Sequence, residues 1–360
     1  MAIEPHIVIT EREYETTVSN PNYARDIAII GAFDSEITAL TVCTTVTDAK
    51  SKFGIMGTEG DFKGTDAIPL LFTGASSLLV ANITTYDTSG DDPVAETTLT
   101  DVKLTAALNK LHHIDFDILF IAEELSDSQQ EIVTAWLNAE FAAKYPHGQI
   151  AQLSKGTASA YEISVGKFSD KVYFINTQTF TYNTEALALN RSTALIAGFI
   201  AGTQINRSLT NMEISGITTI SPEYSTAAGE LGASLLSLNI PFLKRRFISS
   251  RKANAFYCVN SALPDGFDIY IYRLRDAILK DIEAEVILGQ QNDDVTENGV
   301  ITLMEGLIQS YVENYKYVKD IKYHIEDDPA NTQALNIVVD EIVFSDIITL
   351  VKIFYSIRVE

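Results

Sequence analysis

The chain has 360 residues, of which 46% are hydrophobic and 21% are charged, values typical of a globular protein with a substantial core. Its 48 acidic and 26 basic residues give a formal net charge of −22, and a field of that sign repels nucleic acids and anionic membranes. We therefore predict no nucleic-acid partner and no membrane insertion, and the length indicates two or three domains.

Cysteines and apolar segments indicate where the protein is made. Cys43 and Cys258 each lie in an apolar, strand-like run, which predicts buried free thiols and no disulfide framework. The N-terminus lacks the basic region and long apolar segment of a signal peptide. The longest uncharged apolar stretch, residues 194–202, is shorter than the ~20 residues that cross a bilayer. We predict synthesis in the cytoplasm, with release by lysis or inside a particle.

An extended segment opens the chain. Residues 3–18 alternate in polarity and contain a short predicted strand with Ile7, Val8 and Ile9. Pro21 and Asn22 then separate this segment from the first predicted domain. Residues 1–22 are therefore a predicted N-terminal arm.

From about residue 25, predicted strands alternate with predicted helices. That order is typical of βαβ units and a mostly parallel sheet, so we predict a three-layer α/β domain over residues 23–204. Predicted strands lie at 26–31, 77–85, 116–122, 149–153 and 172–176. Predicted helices begin with Thr47 as a cap, at 67–72 with Pro69 near the start, at 101–112, at Ser126 and at Asn183 or Thr184.

Helical spacing predicts one face for two of these helices. In the segment 101–112, the face contains Val102, Ala106, Leu108 and Leu111. In the helix from Ser126 to about Lys144, the predicted inward residues are Ile132, Ala135, Trp136, Ala139 and Phe141.

The second half is less regular and is predicted to be an α+β domain over residues 205–346. Its predicted elements are a small-residue helix at 225–238, a strand at 255–260, a strand at 267–272 that runs into a helix, an amphipathic helix at 300–318, and closing strands. Residues 290–298 are a predicted acidic loop.

Residues 347–360 form a predicted C-terminal strand arm. Residues 347–359 contain no Gly or Pro, and they span roughly 40 Å if extended, whereas a typical strand has about 5–6 residues. An apolar strand at a chain end invites edge pairing, so we predict that part of it adds to the sheet of another polypeptide. The apolar residues of the arm that carry this prediction are Val351, Ile353, Tyr355, Ile357 and Val359.

No catalytic, cofactor or metal site is predicted. Gly31 is not followed by a phosphate-binding glycine pattern, and the S-x-x-K match at 249–252 lacks its partner motifs. The five histidines lack zinc-site spacing, and His112 and His113 are predicted to point in different directions at a helix end. The acidic loop at 290–298 lacks the central glycine of a calcium loop, which favours a solvated segment.

Two basic groups stand out in this acidic chain. The first is interpreted as a surface loop or as a contact to an acidic protein neighbour. The second lies after a predicted helix end, and either complements the helix dipole or faces an acidic partner. The groups are Lys244, Arg245, Arg246, Arg251 and Lys252, and then Lys316, Lys319 and Lys322.

Several segments, in chain order, resemble contractile tail sheath proteins. They are IIGAF at 29–33, TDAKSKFG at 47–54, AIPLLFTGASSLLVANI at 67–83, RSTALIAGFIAG at 191–202 and the segment 267–288. The chain is similar to the small, near-minimal sheaths of contractile phages and phage-tail-like bacteriocins (tailocins).

The resemblance implies a mechanical role without a cofactor. Subunits would stack as hexameric rings around a tail tube protein, together with baseplate and tail-terminator proteins, and would contract to drive the tube through a bacterial envelope. It implies that residues 3–18 and 347–359 are exchanged between subunits, with hinges at 18–22 and 344–346, and that one of the basic groups contacts the tube. Two alternatives stay open: another self-assembling shell or tail protein that does not contract, and an acidic α/β enzyme with a cryptic site.

Overall fold

The computed structural model describes residues 26–54, 61–87, 94–142, 148–152, 173–248, 251, 253–264, 266–285, 297–314, 318–327 and 335–344. The predicted arm residues Ile7, Val8, Ile9, Val351, Ile353, Tyr355, Ile357 and Val359 lie outside these ranges, as do Lys252 and Lys316.

The first half alternates strands and helices as predicted. Its elements are β1 Asp26–Gly31, β2 Thr41–Cys43, α1 Val46–Phe53, α2 Lys63–Leu71, β3 Ser77–Asn82, β4 Thr85–Asp87, β5 Val94–Glu96, α3 Asp101–Lys110, β6 Ile118–Ile121, α4 Asp127–Ala142, β7 Gly148–Gln152, β8 Tyr173–Asn176, β9 Thr179–Tyr182, β10 Glu185–Ala186 and α5 Leu189–Gly202.

A six-stranded sheet organises this half. Its strand order is β2-β3-β1-β6-β7-β8, in which β2 is antiparallel to β3 and the other neighbours are parallel. Residues in register on β1 and β3, such as Ile29 and Val80, face the same side. The prediction of a mostly parallel sheet is confirmed.

Helices cover both faces of the sheet, which gives the predicted three layers. Alternate residues of β1 enter opposite cores: Ile27 and Ile29 enter the first, and Ala28 and Ile30 enter the second. Strands buried on both faces consist of continuous apolar residues. The first core includes Phe33, Phe53, Ile68, Leu71, Val80, Phe120, Leu195 and Ile200, and the second includes Leu79, Leu104, Leu108, Leu119, Ile121, Val133, Leu137 and Leu235.

Three predicted helix starts are wrong. The cap of α1 is Thr45, whose Oγ1 accepts the Asp48 N–H at 3.0 Å, so Thr47 lies inside the helix. Pro69 lies in the last turn of α2, because that helix begins at Lys63. Asn183 and Thr184 have φ angles of 47° and 74° in the turn between β9 and β10, and α5 begins later, at Leu189.

Ser126 does cap α4, as predicted. Its Oγ accepts the Gln129 N–H at 3.4 Å while the Gln129 side chain accepts the Ser126 N–H at 2.9 Å. This reciprocal pair is a capping box.

The predicted inner faces of α3 and α4 are partly wrong. Val102 is 79% exposed, and Ala106, Ala135 and Ala139 are exposed as well. The buried stripe of α4 includes the polar residues Gln130 and Glu140, which an apolar pattern cannot reveal. The buried positions are Leu104, Ala107, Leu108 and Leu111 around α3, and Gln130, Val133, Leu137 and Glu140 on α4.

Glycines allow α2 and α5 to approach each other closely. A Cβ at Gly198 would lie 2.3 Å from the Leu70 carbonyl oxygen, and one at Gly74 would lie 2.0 Å from the Gly198 carbonyl oxygen. The first core therefore depends on backbone-to-backbone contact that any larger residue would disturb.

Among its described residues, the second half contains one strand of a three-stranded sheet, a short hairpin, four helical segments and a long hairpin. Its elements are β11 Ile217–Ser221, α6 Leu231–Ser237, β12 Leu243–Ile248, β13 Ala253–Cys258, α7 Ile269–Glu285, α8 Glu297–Gln309 with a π turn at Ser310–Asn314, β14 Val318–Asp327 and β15 Leu335–Phe344. Strand β11 joins β9 and β10 in one sheet, and β12 pairs with β13 in another.

The predicted strand at 267–272 is wrong, because α7 begins at Ile269. Asp268 Oδ1 accepts the Tyr270 N–H at 3.1 Å at this helix start. The buried residues Tyr270, Leu274 and Ile278 have helical spacing. The first core also includes Leu209 and Phe256, beyond the predicted domain boundary at 204/205, and that boundary stays a prediction.

Candidate functional site

A third core forms a separate module, which we call the terminal module: α7, α8 with its π turn, β14 and β15. Its buried residues include Leu274, Ile278, Met304, Tyr311 and Ile321. The Tyr270 and Phe344 rings meet edge-on, with centroids 6.4 Å apart, so the end of β15 is held against α7.

The hairpin of this module has two open edges within the described residues. β14 and β15 have ten residues each, and their register runs from Val318 opposite Phe344 to Asp327 opposite Leu335. Neither pairs with a third described strand. A two-stranded sheet is marginally stable by itself, and its outer backbone groups are a template for another strand.

Charged contacts join the terminal module to the six-stranded sheet. Lys280 Nζ on α7 lies 2.6 Å from Asp115 and 2.8 Å from Asp117, beside the start of β6. Burial alone would lower the pKa of Lys280, but Asp117 and Asp115 raise it above its usual value. The amine therefore stays charged and bridges the two regions.

Asp276 is a buried carboxyl in the same contact. Burial raises its pKa to about 6, although Arg275 and Lys280 oppose that shift. Arg275 Nη2 lies 2.7 Å from Asp276 Oδ1. The junction therefore contains an acid that titrates near neutral pH.

The first predicted basic group lies mainly on a strand, so its interpretation as a surface loop is wrong for β12. Lys244, Arg245 and Arg246 are consecutive on β12 and all are exposed, whereas Phe256 and Ala255, which lie opposite Arg245 and Arg246 on β13, are buried. Arg251 lies in the connection to β13.

These basic side chains already have partners within the chain. Arg251 Nη1 donates to both Glu213 carboxylate oxygens at 2.8 Å, and Arg245 lies 3.3 Å from Glu223. The Arg246 guanidinium lies 4.8 Å from the centre of the Tyr257 ring, and Lys244 Nζ donates to Thr226 at 3.0 Å. The β12–β13 hairpin, which we call the basic hairpin, therefore carries exposed basic residues, two of which pair with acidic residues of the same chain.

Lys319 and Lys322 lie on β14, and whether they complement the helix C-terminus or face an acidic partner stays a prediction. Lys322 Nζ lies 2.5 Å from Glu341 Oε2 on β15, and both side chains are more than half exposed. Exposed pairs of this kind contribute little to stability. Their strand positions place them beside an open hairpin edge.

Sequence reasoning missed a buried network around Asp268. Ser208 Oγ donates to Asp268 Oδ2 at 2.5 Å, and Ser261 Oγ also donates to that oxygen. Burial raises the pKa of the carboxyl, and these hydrogen bonds lower it. Because Asp268 also accepts the Tyr270 N–H, the network joins three segments at the start of α7.

The prediction that His112 and His113 point in different directions is wrong. Their ring centroids are 3.7 Å apart, and both lie beside the buried Glu140 of α4. His113 has a φ of 57°, which sequence spacing cannot indicate. A nitrogen from each ring and a Glu140 oxygen all lie within 4.8 Å of one another.

Four other predictions concern the S-x-x-K match, the acidic loop, the cysteines and membrane-spanning helices. Ser249, Ser250 and Lys252 of the S-x-x-K match lie outside the described residues, as do Asp293 and Asp294. Both cysteines are buried and unpaired, as predicted. Among the described helices, none combines the length and apolar character needed to cross a bilayer.

Comparisons with known proteins identify the fold. No family model and no curated protein matches the sequence. The structure is similar to a sheath tail protein from Listeria innocua, with a TM-score of 0.66 and 11% identity over 90% of this chain and 94% of that chain. It is similar to a sheath tail protein from Desulfitobacterium hafniense, with a TM-score of 0.63 and 11% identity over 90% and 97% of the two chains.

The similarity extends to helical assemblies. The anti-feeding prophage helical sheath in its contracted state matches with a TM-score of 0.64 and 15% identity over 93% of both chains. The sheath of the extracellular contractile injection system PVC, also contracted, matches with a TM-score of 0.61 and 11% identity over 99% and 98%. The predicted resemblance is therefore confirmed as a shared fold: this α/β chain has the fold of the tail sheath proteins and contractile injection system sheaths.

Proposed function

We propose that the chain is a structural subunit of a contractile tail sheath. The observation that carries this proposal is similarity over nearly the whole length of both chains to several sheath proteins, including two from contracted sheaths. A shared domain alone would cover only part of each chain. The role is mechanical, without a catalytic step, and the partners are other copies of the chain.

In this proposal, subunits form hexameric rings that stack around a tail tube protein between a baseplate and a tail terminator. A rigid subunit stores energy in one packing and releases it in another. The subunit is made in a bacterial cytoplasm and becomes part of a phage tail or tailocin particle. The four regions 1–22, 23–204, 205–346 and 347–360 then act as arm, α/β domain, sheath core domain and arm.

Strand addition at the terminal module links the subunits. The open edges of β14 and β15 support this step, because each offers ten residues of backbone, about 33 Å at the strand rise. Residues 347–359 come after β15 and a short connection, and they are long enough to cover one such edge. Main-chain hydrogen bonds to a neighbour survive rotation of the subunit when the bend is confined to hinges. The predicted hinges are at 18–22 and 344–346, and the second has to begin after Phe344, because that residue pairs with Val318 and packs against Tyr270 of α7.

The basic hairpin is the proposed contact to the tube or to an acidic neighbour. Lys244, Arg245 and Arg246 project from a chain of net charge −22, so they offer the opposite sign to an acidic surface. Lys319 and Lys322, on β14 of the terminal module, are a second candidate for the same role.

Electron microscopy of the purified protein tests this function. We expect wide hollow tubes, and deletion of residues 347–360 is expected to abolish them. A sharper variant places Lys at Ile353 and Ile357, which share one face of the arm. The matched control replaces Lys352 and Ser356 with Gln on the other face and should polymerise normally.

Three outcomes would contradict parts of the proposal. Closed cages or monomers from the full chain would exclude a sheath. Normal tubes after the deletion would exclude the C-terminal arm as the link. Tubes that keep one diameter when assembled with and without a tail tube would favour a tail protein that does not contract.

A further inference from the structure

We propose that His112, His113 and Glu140 form a binding site for a divalent transition-metal ion, for which Zn²⁺ is the natural probe. Imidazole nitrogens and carboxylate oxygens are ligands that Zn²⁺ prefers. One ligand atom from each of the three residues lies within 4.8 Å of the others. This site is independent of the proposed sheath function, because it lies in the α3–α4 layer and not in the terminal module.

The backbone brings both imidazoles to the same side. His113 has a φ of 57°, a left-handed conformation that residues other than Gly seldom adopt. With that turn, the two rings stack at a centroid distance of 3.7 Å and an angle of 30°. Consecutive side chains in extended or helical backbone would diverge, so the turn creates a pair of neighbouring nitrogen ligands.

The carboxylate is held in place before any ion arrives. The Glu140 side chain is 0% exposed, and His112 Nδ1 pairs with Glu140 Oε1. Glu140 Oε2 accepts a hydrogen bond from the backbone N–H of His113 at 3.1 Å, which orients the carboxylate plane. A hydrogen bond to the second oxygen of a ligating carboxylate is how proteins fix metal ligands.

The approach from solvent is open and electrostatically favourable. The His112 side chain is 51% exposed, so an ion reaches the rings from water and keeps water in its remaining position. The pair lies just beyond the C-terminus of α3, whose carbonyl groups favour cations. A net charge of −22 also raises the local concentration of divalent cations.

Binding requires the ligand atoms to rearrange around the ion. Two ligands at ~2.1 Å from a tetrahedral ion lie about 3.4 Å apart. The ligand atoms here already lie within 4.8 Å of one another, and His112 Nδ1 has to move away from Glu140 Oε1, with which it is in direct contact, to admit the ion. The ion replaces the proton between those two atoms and links the end of α3 to the last turn of α4.

Titration of the full chain with Zn²⁺ after chelator treatment tests the site. We expect one ion per chain at this site, a rise in the melting temperature, and a visible absorption band when Co²⁺ replaces Zn²⁺. His112→Gln and His113→Gln each remove one ligand and should weaken binding at least about tenfold. Glu140→Gln keeps the shape of the buried side chain and should also abolish the Co²⁺ band.

His324→Gln is the matched control. His324 Nδ1 lies 2.9 Å from Asp340 Oδ2, and its side chain is also 51% exposed, but it lies on β14 and not on α3 or α4. This variant should bind Zn²⁺ like the unaltered chain. The proposal would be overturned if the unaltered chain did not bind Zn²⁺, or if His112→Gln and His113→Gln bound Zn²⁺ as tightly as the unaltered chain. The histidines would then be hydrogen-bond partners of Glu140 and no more.

Discussion

In the six-stranded sheet, β1, β3, β6 and β7 each pair on both sides, and β1, β3 and β6 bury residues in the cores on both faces, whereas β14 and β15 pair only with each other among the described residues. The four inner strands of the first region therefore have their backbone groups paired on both sides, and β2 and β8 are the edge strands of this sheet among the described residues. The terminal module has a core but leaves two rows of backbone groups at its hairpin edges. Within the described residues, one chain thus combines a sheet whose four inner strands are fully paired with a hairpin in which both strands can still pair with a partner's strand.

The largest expected effect comes from the tight packing of the sheet region. Gly198→Ala would place a Cβ 2.3 Å from the Leu70 carbonyl oxygen and 2.8 Å from the Leu71 carbonyl oxygen. Backbone atoms cannot rotate away, so α2 and α5 must separate and the first core opens. We expect a loss of about 3 kcal/mol in the free energy of unfolding, measured by urea denaturation of unassembled subunits. A loss below about 1 kcal/mol would mean that the two helices are not held at this distance.

The junction between the two regions gives a smaller, pH-dependent effect. Burial raises the pKa of the folded Asp276 carboxyl to about 6, against an ordinary value of 3.8. It therefore holds a proton that the unfolded chain has released, and this contribution to stability is lost as the pH rises through about 6. Between pH 5 and 7 the loss is about 1 kcal/mol. Only the pH unit between 5 and the folded pKa of about 6 contributes in this range, and one unit corresponds to 1.36 kcal/mol.

Asp276→Asn isolates that contribution. The amide has no proton to lose, and its oxygen still accepts from Arg275. As the pH rises from 5 to 7, we expect the unaltered chain to lose unfolding free energy relative to this variant. A difference that stays constant from pH 5 to 7 would show that Asp276 is not protonated in the folded chain at pH 5.

The sequence predicts the strands at 26–31 and 118–121 well because they are short apolar runs buried on both faces of the six-stranded sheet. It fails for β12, because Lys244, Arg245 and Arg246 remove any alternation from a strand held by pairing with β13. It also fails for the start of α7, where the alternation of Ile269 and Ile271 is typical of a strand. In the structure these residues are helical, and Asp268 caps the helix by accepting the Tyr270 N–H. Pairing and capping of this kind depend on partners that local pattern does not contain.

The candidate sites divide in the same way. The basic residues of the hairpin are visible in the sequence because they cluster in an acidic chain. The contact of His112 and His113 with Glu140 is not, because it needs an unusual φ at His113 and a helix 27 residues further along the chain. An acidic residue at the inner position 140 of α4, in a stripe that also contains Gln130, is the sequence signal, and a lone Glu is a weak one.

The smallest expected effect has the opposite sign and lies in the terminal module. A Cβ at Gly306, an exposed residue of α8, would meet no atom within 4 Å. Gly306→Ala lowers the entropy of the unfolded chain and raises helix propensity, so we expect the unassembled subunit to gain about 0.5–1 kcal/mol in the free energy of unfolding. Circular dichroism during urea denaturation measures it. Destabilisation would mean that α8 is as tightly enclosed as α5 and would remove the contrast between the regions. If the subunit gains stability but its polymers weaken, the open space at Gly306 is filled by a neighbour in the assembly, because only then does an added methyl group meet a surface.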